Sequence, residues 1–350
     1  MIDFRYHLVS LISVFLALAV GIALGAGPLK ESIGDTLTGQ VDQLRSEKDA
    51  LRTELDASAS DLADSQSYIA AAAPSLVDGT LTDRRVAVVL LGEVDADTVT
   101  AIEAQITSAG ATITASATLA DTWSSTDQRS FRQALVANLL EYLDPQPASD
   151  ASLETSMAEA LVQGLSSADP ANPDQLSTSA STLLSLLNSG DDPLVTYGDS
   201  ITVPADAIVL ISPDVLVDDT ASDATPDEDE EQAALDAQIA LAVVAQDRTE
   251  GAVVVDGPDD DGSLVAGILA DDDAASSVTT VSGADLISGQ VSVPLALNAR
   301  IGGTNGHYGI GDDLTTLPTA VTLPAVDRTA TDDSATDAGT QEATDGGTEG

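Results

Sequence analysis

A single uncharged run near the N-terminus, LVSLISVFLALAVGIALGAGPL from Leu8 to Leu29, limits how this chain can be arranged more than any other stretch. About 20 helical residues, rising about 1.5 Å each, cross a hydrocarbon layer of about 30 Å. Inside such a layer the backbone finds no water to bond, so the run must be helical. The residues predict a membrane helix over Leu8–Gly27. A cleaved signal peptide is the rival reading, because Ala23, Gly25 and Ala26 offer a peptidase small side chains. The leading MIDFRYH opposes it: Asp3 offsets Arg5, and the apolar run exceeds a usual signal core. A retained anchor is therefore the expectation. Arg5 precedes it and Lys30 follows it beside Glu31 and Asp35, so the flanks nearly balance under the positive-inside rule. The remainder is so poor in Lys and Arg that translocation is favoured. Residues 1–7 are expected in the cytoplasm and the bulk of the chain outside it. Ala17, Gly21 and Gly25 recur every four residues, a spacing that lets two membrane helices approach closely. Ordinary glycine use in a span gives the same pattern.

After the anchor, residues 30–72 carry a heptad. Leu37, Leu44 and Leu51 fall at d, and Val41, Lys48, Leu55, Leu62 and Ile69 fall at a. Ser58 and Ser65 occupy later d positions and thin the seam. Lys48 is the kind of polar a residue that sets register and oligomer state. Glu47 falls at g and Arg52 at the following e, so the two would meet across a parallel pair. Two anchors inserted the same way allow only a parallel pair. The expectation is a coiled-coil stalk in a parallel homodimer or higher homo-oligomer, ended by Pro74 and Gly79. The alternative is one amphipathic helix lying on its own domain.

Charge excludes one class of partner. The 350 residues hold 58 acids against 12 Lys and Arg, a net charge of −46. Such a surface is repelled by nucleic-acid phosphates and by anionic lipid. A charged ligand or partner should be cationic; adaptation to salt would produce the same composition. There is no cysteine, which rules out disulfides, zinc–thiolate sites and thiol catalysis. Aromatics make up 3%, so a core must rest on Val, Leu, Ile and Ala.

From residue 84 to about 320, apolar runs alternate with helical spacing. Strands are expected at Val86–Leu91, 111–116, Ala207–Ser212, 251–257 and 277–283. Helices are expected near Ala96–Ala109, Asp127–Leu143, Leu153–Leu165, Asp174–Leu187, Glu228–Asp247 and Ser263–Leu269. This order predicts an α/β domain, doubly wound, with a mainly parallel sheet in a three-layer α/β/α sandwich. Residues 218–231 read as an acidic disordered loop. Residues 326–350 read as a disordered acidic tail, too poor in apolar side chains to pack.

Little in this domain carries recognisable chemistry. The first strand runs into GEVDADT, which lacks a glycine fingerprint and would repel a pyrophosphate. Walker, G-x-S-x-G and H-E-x-x-H motifs are absent. Three strands end in acid: Glu93 and Asp95, then Asp214, then Asp256 with Asp259 and Asp260. Open α/β sheets bind ligands beyond these strand ends. Glu93, Asp95, Asp214 and Asp256 are thus candidates for an oxygen-lined divalent-cation site, though loops in so acidic a chain would look this way regardless. IGGTNGHYGIG, Ile301–Gly311, is the densest glycine run and reads as a loop able to hug a ligand. His307 within it is a structural histidine by default. No catalytic or cofactor-binding residue is assigned, and an enzyme is the least expected class.

Three segments taken together, the N-terminal MIDFRYHLVSLISVFLALAVGIALGAG, LRSEKDALR in the stalk and GGTNGHYGIG near the end, resemble the actinobacterial MctB-like copper transporter family, the mycobacterial copper transport protein B group. The resemblance runs in order over almost the whole chain. It implies a cell-envelope protein of copper homeostasis, in a family described as channel-forming or outer-membrane copper transport proteins. Copper enters only through this resemblance. A non-enzymatic, membrane-anchored scaffold or regulator of cell-wall or division enzymes is the alternative that the stalk and acidic surface suggest.

Overall fold

The computed structural model describes residues 4–213, 228–257, 262–311 and 314–330. The chain divides into two units, residues 1–67 and 68–350. The first is wholly helical where described. It forms most of α1, Phe4–Val77. Phe4–Gly25 is long and apolar enough to cross a membrane by length and composition, and its side chains are all exposed. Farther along, Val41, Leu44, Leu51, Leu55 and Leu62 are also exposed. The side chain of Leu37 lies outside the described residues.

From Tyr68 onward the helix belongs to the second unit, where Ala73 and Val77 are buried and Ile69 packs against the core. This corrects the seam at its end: Ile69 is taken up by its own domain, because the apolar cluster there offers more contact than solvent. The helix also runs one turn past Pro74, with the Asp78 N–H donating to the Pro74 carbonyl, and Gly79 at φ +71° makes the exit turn.

The second unit continues with β1 (Arg85–Leu90), α2 (Ala96–Ser108), β2 (Thr112–Leu119), α3 (Arg129–Leu139) and α4 (Leu153–Ser166). A hairpin of β3 (Ala168–Asp169) and β4 (Asn172–Leu176) precedes α5 (Thr178–Leu187) and β5 (Val195–Tyr197). Then come β6 (Ala207–Ile211), α6 (Glu228–Arg248), β7 (Ala252–Val255), α7 (Leu264–Ala270), α8 (Asp272–Ser277), β8 (Thr279–Val281), α9 (Ile287–Ile301) and β9 (His307–Tyr308). Among the described residues the main sheet has seven strands in the order β5-β2-β1-β6-β7-β8-β9. Every pair is parallel except β2 with β5 at the edge. The continuous Val, Ile and Ala runs of β1, β6 and β7 suit strands buried on both sides. Alternate residues of β1 enter different apolar clusters. Ala87 and Val89 join Leu161 of α4, Leu183 of α5 and Leu241 of α6, whereas Val86 and Val88 join Ile102 of α2 and Leu295 of α9. Each fully buried Leu or Ile adds about 1.5–3 kcal/mol.

Scarce arginines pin the edge where β1 begins. Arg84 is 3% exposed and pairs with Glu250 at 2.9 Å. Asp206 accepts from the Arg85 N–H at 2.8 Å and from Arg328 at 2.5 Å. Arg84 also donates to the Pro324 carbonyl, and Arg328 to that of Asp83. Asn298 of α9 completes this strap: its amide donates to the carbonyls of Thr80 (2.7 Å) and Val321 (3.0 Å) and accepts from the Val321 N–H (2.7 Å).

Some expectations change. Asp174–Leu176 form the end of β4 rather than a helix, which starts at Thr178 under the Ser177 cap. Asp127–Leu143 is one α-helix flanked by 3₁₀ turns. The glycine-dense run contains β9. Of the expected acidic loop, residues 214–227 lie outside the described residues, and Glu228–Glu231 open α6. Of the expected tail, 331–350 lie outside them, while 326–330 belong to the strap.

Candidate functional site

The described strand-end acids differ in use. Asp95 caps α2, accepting from the Thr98 N–H at 2.9 Å and its hydroxyl at 3.1 Å. Asp256 is 2% exposed and turns back onto the chain, accepting from the Gly257 N–H (2.8 Å) and the Val265 N–H (3.1 Å) at the start of α7. Burial pushes its carboxyl above the usual range, against the pull of those hydrogen bonds. Asp214, Asp259 and Asp260 lie outside the described residues. Among the described residues no three His, Asp or Glu side chains stand together as a metal-binding group.

Glu93 has a different setting. After β1 the chain crosses to β2 on one side, whereas β6 lies on the other. The helices that follow β1 and β6 enter different apolar clusters, α2 one and α6 the other. This reversal leaves a crevice at the C-terminal ends of the strands, the usual ligand position in open α/β sheets. A cleft of about 290 Å³ sits there. Gly92 and Glu93 after β1, Asp121 and Trp123 after β2, Pro213 after β6 and Gln238 of α6 are among its walls. Asp121 and Trp123 escape sequence reasoning, because no local pattern ties them to Glu93. The only available signal is that Trp123 is the sole tryptophan in the chain.

The glycine-dense run borders a second cleft, of about 260 Å³, where Gly309 and Ile310 face Ser282, Gly283 and Ser288 at the start of α9. A Cβ at Gly289 would lie 2.1 Å from the Gly283 carbonyl oxygen, so only glycine permits α9 to start this close to the turn. His307 is held on both nitrogens, Nε2 3.1 Å from the Ala275 carbonyl and Nδ1 2.9 Å from the Thr280 hydroxyl. A carbonyl only accepts, so Nε2 carries the proton and Nδ1 accepts from Thr280. Burial lowers its pKa from 6.5, opposed by the Ala275 bond. A depressed folded-state pKa gives stability that is complete above the unfolded value and is lost as pH falls through the folded one. Thermal unfolding between pH 7.5 and 5 should therefore show wild type losing stability relative to His307→Gln. Parallel curves for the two would refute this coupling.

Comparison with known proteins adds the following. The family model described as "Copper transport outer membrane protein, MctB" matches residues 1–319. The copper transporter MctB of Mycobacterium tuberculosis is 29% identical over 317 residues, covering 89% of this chain and 97% of that protein. The Mycobacterium leprae protein of the same name is 29% identical over 325 residues, covering 91% and 99%.

Proposed function

Because the chain belongs to the MctB family of copper transport outer membrane proteins, we propose that it is a single-pass envelope protein of copper homeostasis, with copper as cargo. The observation that carries the membrane part is the exposed, uncharged face all round residues 8–25 of the apolar helix Phe4–Gly25. In this reading the helix is retained, the N-terminus is cytoplasmic and the α/β domain lies outside the cytoplasm. The two apolar clusters that share β1 support a doubly wound, three-layer sandwich. The protein acts without being an enzyme. One helix per chain encloses a pore only through assembly, so transport in this reading requires several chains.

Copper chemistry narrows the ligands. Cu(I) favours thiolate and thioether, and Cu(II) favours imidazole. The chain has no cysteine, and of its two methionines Met157 is 1% exposed within the core while Met1 lies outside the described residues. Copper transfer in this reading therefore proceeds through weak oxygen or imidazole contacts. Deleting the gene should raise cell copper and copper sensitivity, and the full chain should restore both. Unchanged copper content and growth in the deletion strain would overturn the transport reading.

The exposed stripe Val41, Leu44, Leu51, Leu55 and Leu62 favours a second reading, a coiled-coil scaffold or regulator of cell-wall enzymes. Localisation of a tagged chain separates the two: a septal focus favours the scaffold and a dispersed signal the transporter. The parallel dimer itself is tested by cysteine pairing, clean here because the chain has none. Leu51→Cys, in the seam, should cross-link on mild oxidation in membranes, and Thr53→Cys, on the outer face, should not. Equal yields at both positions would remove the parallel seam.

A further inference from the structure

We propose that the cleft at the strand reversal binds a small organic ammonium compound, with its body on Trp123 and its charge between Glu93 and Asp121. The site is assembled from four separate places in the chain: the turn after β1, the turn after β2, Pro213 after β6 and the first half of α6. Its volume of about 290 Å³ admits a compact ligand.

Unused polar groups converge on it. The carboxylates of Glu93 and Asp121 make no hydrogen bond or ion pair with any described residue, and neither does the Gln238 amide. Trp123 is 3% exposed. Its indole N–H is not sealed in the core, no described residue accepts from it, and Trp123 lines the cleft. Two anionic groups, an aromatic side chain and one spare donor fit a cation that also carries an oxygen acceptor, such as an amino alcohol. An ammonium gains from the aromatic face and from the carboxylates together. Anions are disfavoured by both acids.

The turn that presents Asp121 and Trp123 is built to hold still. Arg132 is 2% exposed, and its guanidinium donates to the backbone carbonyls of Thr122 (3.0 Å), Ser124 (3.2 Å) and Ser125. No carboxylate among the described residues forms an ion pair with it. Glu154 adds a Coulombic attraction without an ion-pair contact, and the charge-assisted bonds to the three carbonyls fix one short turn. The Thr122 hydroxyl and the Ala120 N–H tie the same turn to the Pro193 and Leu194 carbonyls. Arg132 is thus a positioning residue for the cleft.

Because Trp123 is the sole tryptophan, its fluorescence reads the cleft directly in the full chain in detergent micelles. Titration with ethanolamine and choline should give a saturable change that weakens with added salt. Acetate and inorganic phosphate should give none. The exposed pair Glu93→Gln with Asp121→Asn should weaken amine binding at least tenfold without altering the unfolding temperature. Ala234→Leu, which fills the cleft and leaves the charges in place, should abolish it. No saturable response to either amine, or equal affinity in the double variant, would overturn the proposal. A response confined to copper ions and lost in the double variant would also overturn it, assigning the acids to a metal instead. The outcome is independent of the copper-transport reading, which is tested by copper content and growth.

Discussion

Val14→Arg combined with Leu18→Arg should release the chain from the membrane. Both side chains are exposed near the middle of Phe4–Gly25. Arginine at the centre of a span costs about 2.5–3.5 kcal/mol on the insertion scale. Two together cost about 5–7 kcal/mol, on the order of a 10⁴-fold shift in partition. Wild type should stay in the pellet after carbonate extraction, and the double variant should move to the supernatant or fail to insert. A double variant still resistant to carbonate would show that another segment holds the chain. The same preparation resolves the signal-peptide alternative. An intact mass that includes residues 1–27 establishes retention, and a mass beginning beyond Ala26 would refute it.

Asn298→Ala should cost the domain about 3 kcal/mol or more. Its amide is fully buried and satisfies three backbone groups, the Thr80 carbonyl and both the carbonyl and the N–H of Val321. Each buried group left without a partner costs about 1–3 kcal/mol. At about 2–4 °C per kcal/mol for a domain of this size, the unfolding midpoint should fall by roughly 6–12 °C. Asn298→Leu restores volume but not the bonds, so it should fall nearly as far. Asn298→Asp should be worst, because it sets a negative charge against two carbonyl oxygens. If Leu restores the midpoint, the residue matters for packing and not for the strap.

The parts of the fold that were legible in the sequence share one property: their pattern is local. Val86–Val89, Ala207–Ile211 and Ala252–Val255 are unbroken apolar runs, and their identity as parallel strands follows from burial on both sides. In α9 the apolar spacing is interrupted by Gly289, Ser292, Pro294 and Asn298, and two of these are set by contacts elsewhere in the fold. Gly289 answers to the Gly283 carbonyl and Asn298 to Thr80 and Val321. The strand His307–Tyr308 is too short to show a period and is fixed only by its neighbour β8. The helical spacing that leads into α5 places Asp174 within the expected helix. The Ser177 cap and Pro173 move the helix start four residues on, to Thr178. Asp256 was visible as an acid after a strand, but its use, bonding the start of α7, depends on a residue nine positions later. Trp123 and Glu93 meet only because β1 and β2 are neighbours.

The strap joining Thr80, Asn298, Val321 and Arg328 also sets a timetable for synthesis. β1 is made first, yet its partner β6 is paired from residue 207 onward. Its starting edge stays open until Arg328 has left the ribosome and reached Asp206, 122 positions behind it in the chain. The bonds that residues 321–328 make to this edge come from the last part of the described chain to be synthesised. The strap is therefore the last part of the described domain that synthesis can complete, and the contact of Arg328 with Asp206 closes it.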